Sequence, residues 1–180
     1  MKMNTKTLVS LSLLIGIGTA LHAVIPGIFL GMKPDMMLTM MFLGIMLFPA
    51  KKNVLLVGLL TGVISGLTTQ FPGGFLPNLI DKPVTAFVFY GLFLLTRKYS
   101  RSILGAIVLT AIGTLVSGAI FLGSASVIGG LPGAFIALFA AVVLPATVVN
   151  AGAMFVVYPI INGILKRSSI SEAVTSDQLQ

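Results

Sequence analysis

Two short stretches concentrate the groups able to hold a polar molecule. Gly31-Met32-Lys33-Pro34-Asp35 sets a lysine near an aspartate, and the stretch 68–82, which carries Gln70 and Asn78, ends on Asp81-Lys82. A lysine ammonium binds a carboxylate, and an aspartate binds an ammonium. Two such patches together match a ligand bearing both charges, with Lys33 or Lys82 on its carboxylate and Asp35 or Asp81 on its ammonium. Phe71, Phe75, Phe87 and Tyr90 cluster around the second stretch. They form either the aromatic belt usual at a membrane surface or the wall of a pocket for an aromatic ligand.

Each polar residue also has a purely structural role open to it. Asp81 precedes Lys82-Pro83, and an aspartate just before a proline is a common helix start. Asp35 follows Pro34 and suits the first turn of a helix, where negative charge complements the dipole. His22 is the single histidine and can be satisfied within a helix bundle. Asn150 and Tyr158 interrupt the last apolar run; Asn150 must bond either to a neighbouring helix or to a ligand.

Catalytic chemistry finds little support. One histidine and no cysteine exclude His-rich metal clusters, thiolate metal sites and thiol catalysis. No Ser/His/Asp arrangement is evident, and Asp35 and Asp81 do not form a recognisable intramembrane protease pair. No Gly-x-x-x-x-Gly-Lys-[Ser/Thr] loop is present, so ATP is not bound in the P-loop manner. The expectation is a protein that is not an enzyme and uses no cofactor or metal.

The elements that must position these residues are membrane spans. Of 180 residues, 57% are hydrophobic and only 8% charged, against about 25% charged in a soluble domain; the mean hydropathy is +1.10. Such a chain cannot cover itself for water, and its partner is the lipid bilayer. The net charge of +7 does not point to nucleic acid, because the basic residues sit in short clusters between apolar runs. The fold class expected is all-α, with spans near 8–30, 35–48, 53–67, 83–96, 103–122 and 132–165. The second and third are short, and the sixth is too long for one untilted helix, so it tilts or begins re-entrantly at 132–139, with a kink at Pro145. The first run is too long for a signal peptide and lacks a cleavage pattern.

Lys2, Lys6, Lys51, Lys52, Arg97, Lys98, Arg101, Lys166 and Arg167 all fall in alternate connections. Positive charge marks the cytoplasmic side, which places both termini inside and Lys33 and Lys82 outside. One transmembrane domain over 1–167 and a polar tail over 168–180 follow. Gly58, Gly62 and Gly66 make two Gly-x-x-x-Gly steps suited to close helix packing. Ser12, Gly16 and Ala20 form a similar ridge on the first helix.

Leu21-His22-Ala23-Val24-Ile25-Pro26, Gly31-Met32-Lys33-Pro34-Asp35, and Thr69-Gln70-Phe71-Pro72-Gly73-Gly74 running on to Pro77-Asn78-Leu79-Ile80-Asp81-Lys82 carry a resemblance over nearly the whole chain. It resembles the tryptophan-transport proteins of Gram-positive bacteria, small membrane proteins similar to the substrate-binding S components of energy-coupling factor (ECF) transporters. The resemblance implies an S component that captures tryptophan near the outer face. It would then dock on an ECF transmembrane coupling protein driven by two cytosolic ATPases, and topple to release substrate inside. S components often dock through an Ala-x-x-x-Ala ridge; here Ser12, Gly16 and Ala20 keep the small size without the alanines. Asn78, Gln70 or His22 would accept the indole N–H, with Phe71 and Phe75 near the ring. Two alternatives stand beside this: an S component for another solute such as a vitamin, and a self-sufficient ion-coupled carrier. The latter would favour inverted repeats and broken helices, and no internal repeat is clear.

Overall fold

The computed structural model describes residues 4–24, 35–100 and 102–167, without the side chains of 100 and 165–167. Lys33, with the rest of Gly31-Met32-Lys33-Pro34, and the tail 168–180 lie outside the described residues. The described chain is helical, and no strand occurs within it. In order come α1 (Thr5–Val24), α2 (Met36–Leu47), α3 (Lys51–Thr68), α4 (Phe75–Leu95), the short α5 (Arg97–Ser100), α6 (Ile103–Ile128), the single turn α7 (Phe135–Leu138), a π-helical segment Phe139–Val143, and α8 (Leu144–Arg167).

The centre of the bundle is α2. All twelve of its residues are buried, five of them methionines. A helix apolar on every side belongs in a core or in lipid, and here protein surrounds it: α1, α3, α4, α6 and α8 all pack against it. At about 1.5 Å per residue it is about 18 Å long, well short of the hydrocarbon core of about 30 Å. Its ends are therefore inside the protein, where side chains can satisfy them. At the N-terminal end Asp35 does so, accepting from the Leu38 N–H at 3.1 Å. Phe42 of α2 stacks on Phe89 of α4 at 4.0 Å. Gly113 of α6 makes room for the pair, since a Cβ there would meet Phe42 at 2.7 Å and Phe89 at 2.8 Å.

Around α2, the most extensive packing joins α3 to α4, α4 to α6 and α6 to α8. The outward faces are apolar: Leu13, Val24, Leu104, Val148 and Ile136 are exposed, as expected where the solvent is lipid. Among the described residues, four helical stretches are long and apolar enough to cross a membrane: Thr5–Val24, Phe75–Leu95, Ile103–Ile128 and Phe135–Ile164. The other two expected spans differ from these. α2 is too short, and α3 opens with Lys51-Lys52-Asn53, which dilutes its apolar character.

One element departs from the sequence expectation, and another decides between its alternatives. Helix α4 begins at Phe75 rather than at Pro83, so Pro83 sits inside a helix. An interior proline removes one hydrogen bond and costs about 3 kcal/mol; packing on α3 offsets it. Cβ atoms added at Gly58 and Gly62 would meet Pro83 Cα and the Asn78 carbonyl oxygen, both at 3.1 Å, and one at Gly66 would meet the Phe75 carbonyl at 3.0 Å. The three glycines thus form a groove that holds the α4 backbone along three turns. In the sixth apolar run, the helix does not break or re-enter at 132–139 but continues from Phe135 through the π-helical segment into α8. Pro145 has no N–H for the carbonyl of Ala141, and widening the preceding turn relieves that clash.

Candidate binding site

The turn between α3 and α4 sets the site. Thr69 Oγ1 accepts from the Phe71 N–H at 3.2 Å, and the Gly74 N–H donates to the Phe71 carbonyl at 3.0 Å. Gly73 takes φ +68°, the left-handed region that favours glycine. The chain thereby reverses tightly and tucks Phe71 inward, 4% exposed. Asn78, one turn into α4, donates back to the Gly74 carbonyl at 2.8 Å.

One further turn along, Asp81 and Lys82 face inward rather than capping a helix. Asp81 is fully buried and Lys82 is 4% exposed. Lys82 Nζ lies 2.7 Å from Asp35 Oδ2 and 2.7 Å from Asp81 Oδ2, and donates to Ser117 Oγ of α6 at 3.3 Å. An ammonium has three donors, and all three are in use. Asp81 is matched in turn: Thr85 Oγ1 donates to Oδ1 and Ser117 Oγ to Oδ2, each at 2.7 Å. Asp35 Oδ1 faces His22 Nδ1 at 3.5 Å. The cluster therefore ties α1, α2, α4 and α6 at one end of the bundle. Burying charge is tolerable only with this degree of pairing and hydrogen bonding.

An open-mouthed cavity of about 100 Å³ lies against the cluster, smaller than the roughly 300–1,000 Å³ usual for small-molecule sites. Of the residues singled out in the sequence, His22, Asp35, Gln70, Phe71, Asn78, Lys82 and Asn150 line it. Asp81 stands behind Lys82 and does not reach the wall. Phe75 also stays off the wall, half-exposed on α4 and packed on Gly66, and Phe87 faces outward. Ser12, Gly16 and Ala20 lie on an exposed face of α1 and do not line the cavity; a Cβ at Gly16 would touch nothing within 4 Å.

Several wall residues escaped the sequence reading. Thr114, Ser117 and Phe121 of α6 face the cavity, as do Ser65 near the end of α3 and Val143 of the π-helical segment. Phe121 meets Phe71 edge-on at 5.3 Å, giving the cavity an aromatic corner. A signal existed for α6: Thr110, Thr114 and Ser117 recur at helical spacing in an otherwise apolar run, flanked by Gly113 and Gly118. Among the described residues no group of three His, Asp or Glu side chains could hold a metal ion.

This arrangement, a buried ion cluster beside an aromatic-cornered cavity in an apolar bundle, is suited to binding a small charged molecule from within a membrane. The family model described as tryptophan transporter TrpP matches residues 4–166. A probable tryptophan transport protein of Bacillus subtilis (strain 168) is 60% identical over 171 residues, covering 95% of this chain and 99% of that protein. One from Clostridium acetobutylicum is 43% identical over 154 residues, covering 84% and 88%; one from Clostridium perfringens is 40% identical, covering 93% and 97%. No solved structure matches. With the family model spanning nearly all of it and full-length relatives named as transport proteins, the chain belongs to the tryptophan transporter TrpP family.

Proposed function

We propose that this protein is the membrane-embedded substrate-binding component of a tryptophan uptake system. The observation that carries the reading is the Lys82–Asp35 ion pair on the cavity wall, 2.7 Å apart. An amino acid is a zwitterion and can insert into such a pair: its carboxylate takes Lys82, its ammonium takes Asp35, and every charge keeps a partner. Asp81 stays behind Lys82 and holds it in place. The aromatic corner of Phe71 and Phe121 supplies an apolar wall for the indole. Lys33 lies outside the described residues and remains a second candidate for the carboxylate.

The chain carries no P-loop sequence, so energy for uphill uptake comes from other subunits or from an ion gradient. We favour the first: an ECF transmembrane coupling protein and two cytosolic ATPases, met through the Ser12, Gly16 and Ala20 face of α1. In this reading the chain crosses the bilayer six times with both termini cytoplasmic, α2 crossing as a short helix shielded within the bundle, and the cavity opens outward. Lys6, Lys51, Lys52, Arg97 and Lys98 sit at the starts of α1 and α3 and beyond the end of α4, the ends of those helices away from the cavity, in keeping with positive charge inside.

The test is uptake of tryptophan into vesicles containing this chain with and without a coupling module. Transport that requires the module and ATP supports the reading. Transport by the chain alone, driven by an ion gradient, replaces it with a self-sufficient carrier.

A further inference from the structure

Asn150 sits in the first half of α8, fully buried, on the cavity wall. Its Nδ2 donates to Thr114 Oγ1 of α6 at 3.3 Å, while its Oδ1, equally buried, has no partner. The direction of the amide is not arbitrary. The Thr114 hydroxyl carries one hydrogen, and that hydrogen is given to the Thr110 carbonyl at 2.9 Å. Toward Asn150 the hydroxyl can only accept, so the amide must present its NH₂, and turning it over would set oxygen against oxygen. Thr114 thereby fixes a bare carbonyl oxygen at the cavity. Buried acceptors are almost always paired, and one left open beside a cavity is poised for a donor on the ligand.

We infer that Asn150 Oδ1 reads a ring N–H of the ligand and so sets the preference for indole over rings of similar shape that lack that hydrogen. This rests on the amino-acid reading of the Lys82–Asp35 pair, and the spacing suits it. Thr114, which orients Asn150, and Ser117, which holds Lys82, are three residues apart on α6, about 5–6 Å between Cβ atoms. A ligand gripped at Lys82 therefore needs its ring donor only a few bonds away. The indole nitrogen of tryptophan is four bonds from its α-carbon. Phenylalanine offers no donor and leaves the acceptor open.

The experiment compares tryptophan with β-(3-benzothienyl)alanine, in which sulfur replaces the N–H with little change of shape, by isothermal titration of the purified full chain. The wild-type protein is expected to bind the sulfur analogue about tenfold to a hundredfold more weakly. In Asn150→Leu, tryptophan loses a similar factor, the analogue holds or tightens, and the two fall within threefold of each other. Thr114→Val, which frees the amide to turn, narrows the gap without removing it, and serves if Asn150→Leu does not fold. A wild-type protein that binds both ligands within threefold overturns the inference, as does an Asn150→Leu protein that keeps the wild-type ratio. Failure of the wild-type protein to bind tryptophan at all overturns the amino-acid reading together with it; tryptophan binding with an unaltered ratio overturns the role of Asn150 alone.

Discussion

Lys82 is held by three partners that answer to different demands. Asp35 lies on the cavity wall with 17% of its side chain exposed, while Asp81 is completely buried behind it. Removing one member of a buried pair typically costs about 3–5 kcal/mol, because the other charge is left uncompensated. Asp81→Asn should therefore show mainly as a loss of stability of that order, read as a lower midpoint in thermal unfolding. Asp35→Asn should unfold closer to wild type, and lose tryptophan affinity by a hundredfold or more as the ligand ammonium loses its partner. The reverse ranking in the two assays would contradict the assignment. His22, Asp35, Asn78, Lys82 and Asn150 were legible as candidates because any amide or charge in so apolar a chain must be matched. Ser117 and Thr114 were legible only as hydroxyls at helical spacing. Hydroxyls are ordinary in apolar helices, where the carbonyl four residues back satisfies them, and nothing in their sequence shows that Ser117 instead bonds Asp81 and Lys82.

The pairing of α3 with α4 decides whether that cluster assembles. Asp-Lys-Pro reads locally as a helix start, and the sequence expectation placed the helix boundary there. The glycine groove of α3 overrides it by pressing the α4 backbone close enough that helix runs from Phe75 through Pro83. Local preference was visible in the sequence; the groove was visible too, but not which helix fills it. Gly62→Leu tests this directly. Its side chain would run into the Asn78 carbonyl and Leu79 Cα, and overpacking of this kind costs about 1–3 kcal/mol. The expected result is a lower unfolding midpoint together with weakened tryptophan binding, since Asn78 and Lys82 ride on the same backbone. Binding left intact in a destabilised protein would mean that the cluster does not depend on this contact.

The whole molecule is a bundle with a short buried helix at its centre and a cavity at one end of it. Its orientation in the bilayer can be read cleanly because the chain has no cysteine. In intact cells, a membrane-impermeant maleimide should label Gly129→Cys, beyond the end of α6, and spare Lys51→Cys; the opposite pattern would invert the topology. The outer face of α1 offers a second test at this scale. Gly16→Leu fits without a clash, since nothing lies within 4 Å of the added Cβ. It should leave stability and tryptophan binding near wild type while cutting module-dependent uptake at least tenfold. Unchanged uptake would remove α1 as the docking face.

The central claim is that this chain by itself binds tryptophan in the cavity beside Lys82, and ligand fluorescence tests it most directly. The protein contains no tryptophan and three tyrosines, so indole emission belongs to the ligand. Titrating tryptophan into the purified protein in detergent should give a saturable blue shift as the ring leaves water, and Lys82→Met should abolish it. Absence of saturable binding at micromolar tryptophan, or binding that survives Lys82→Met unchanged, would contradict the account.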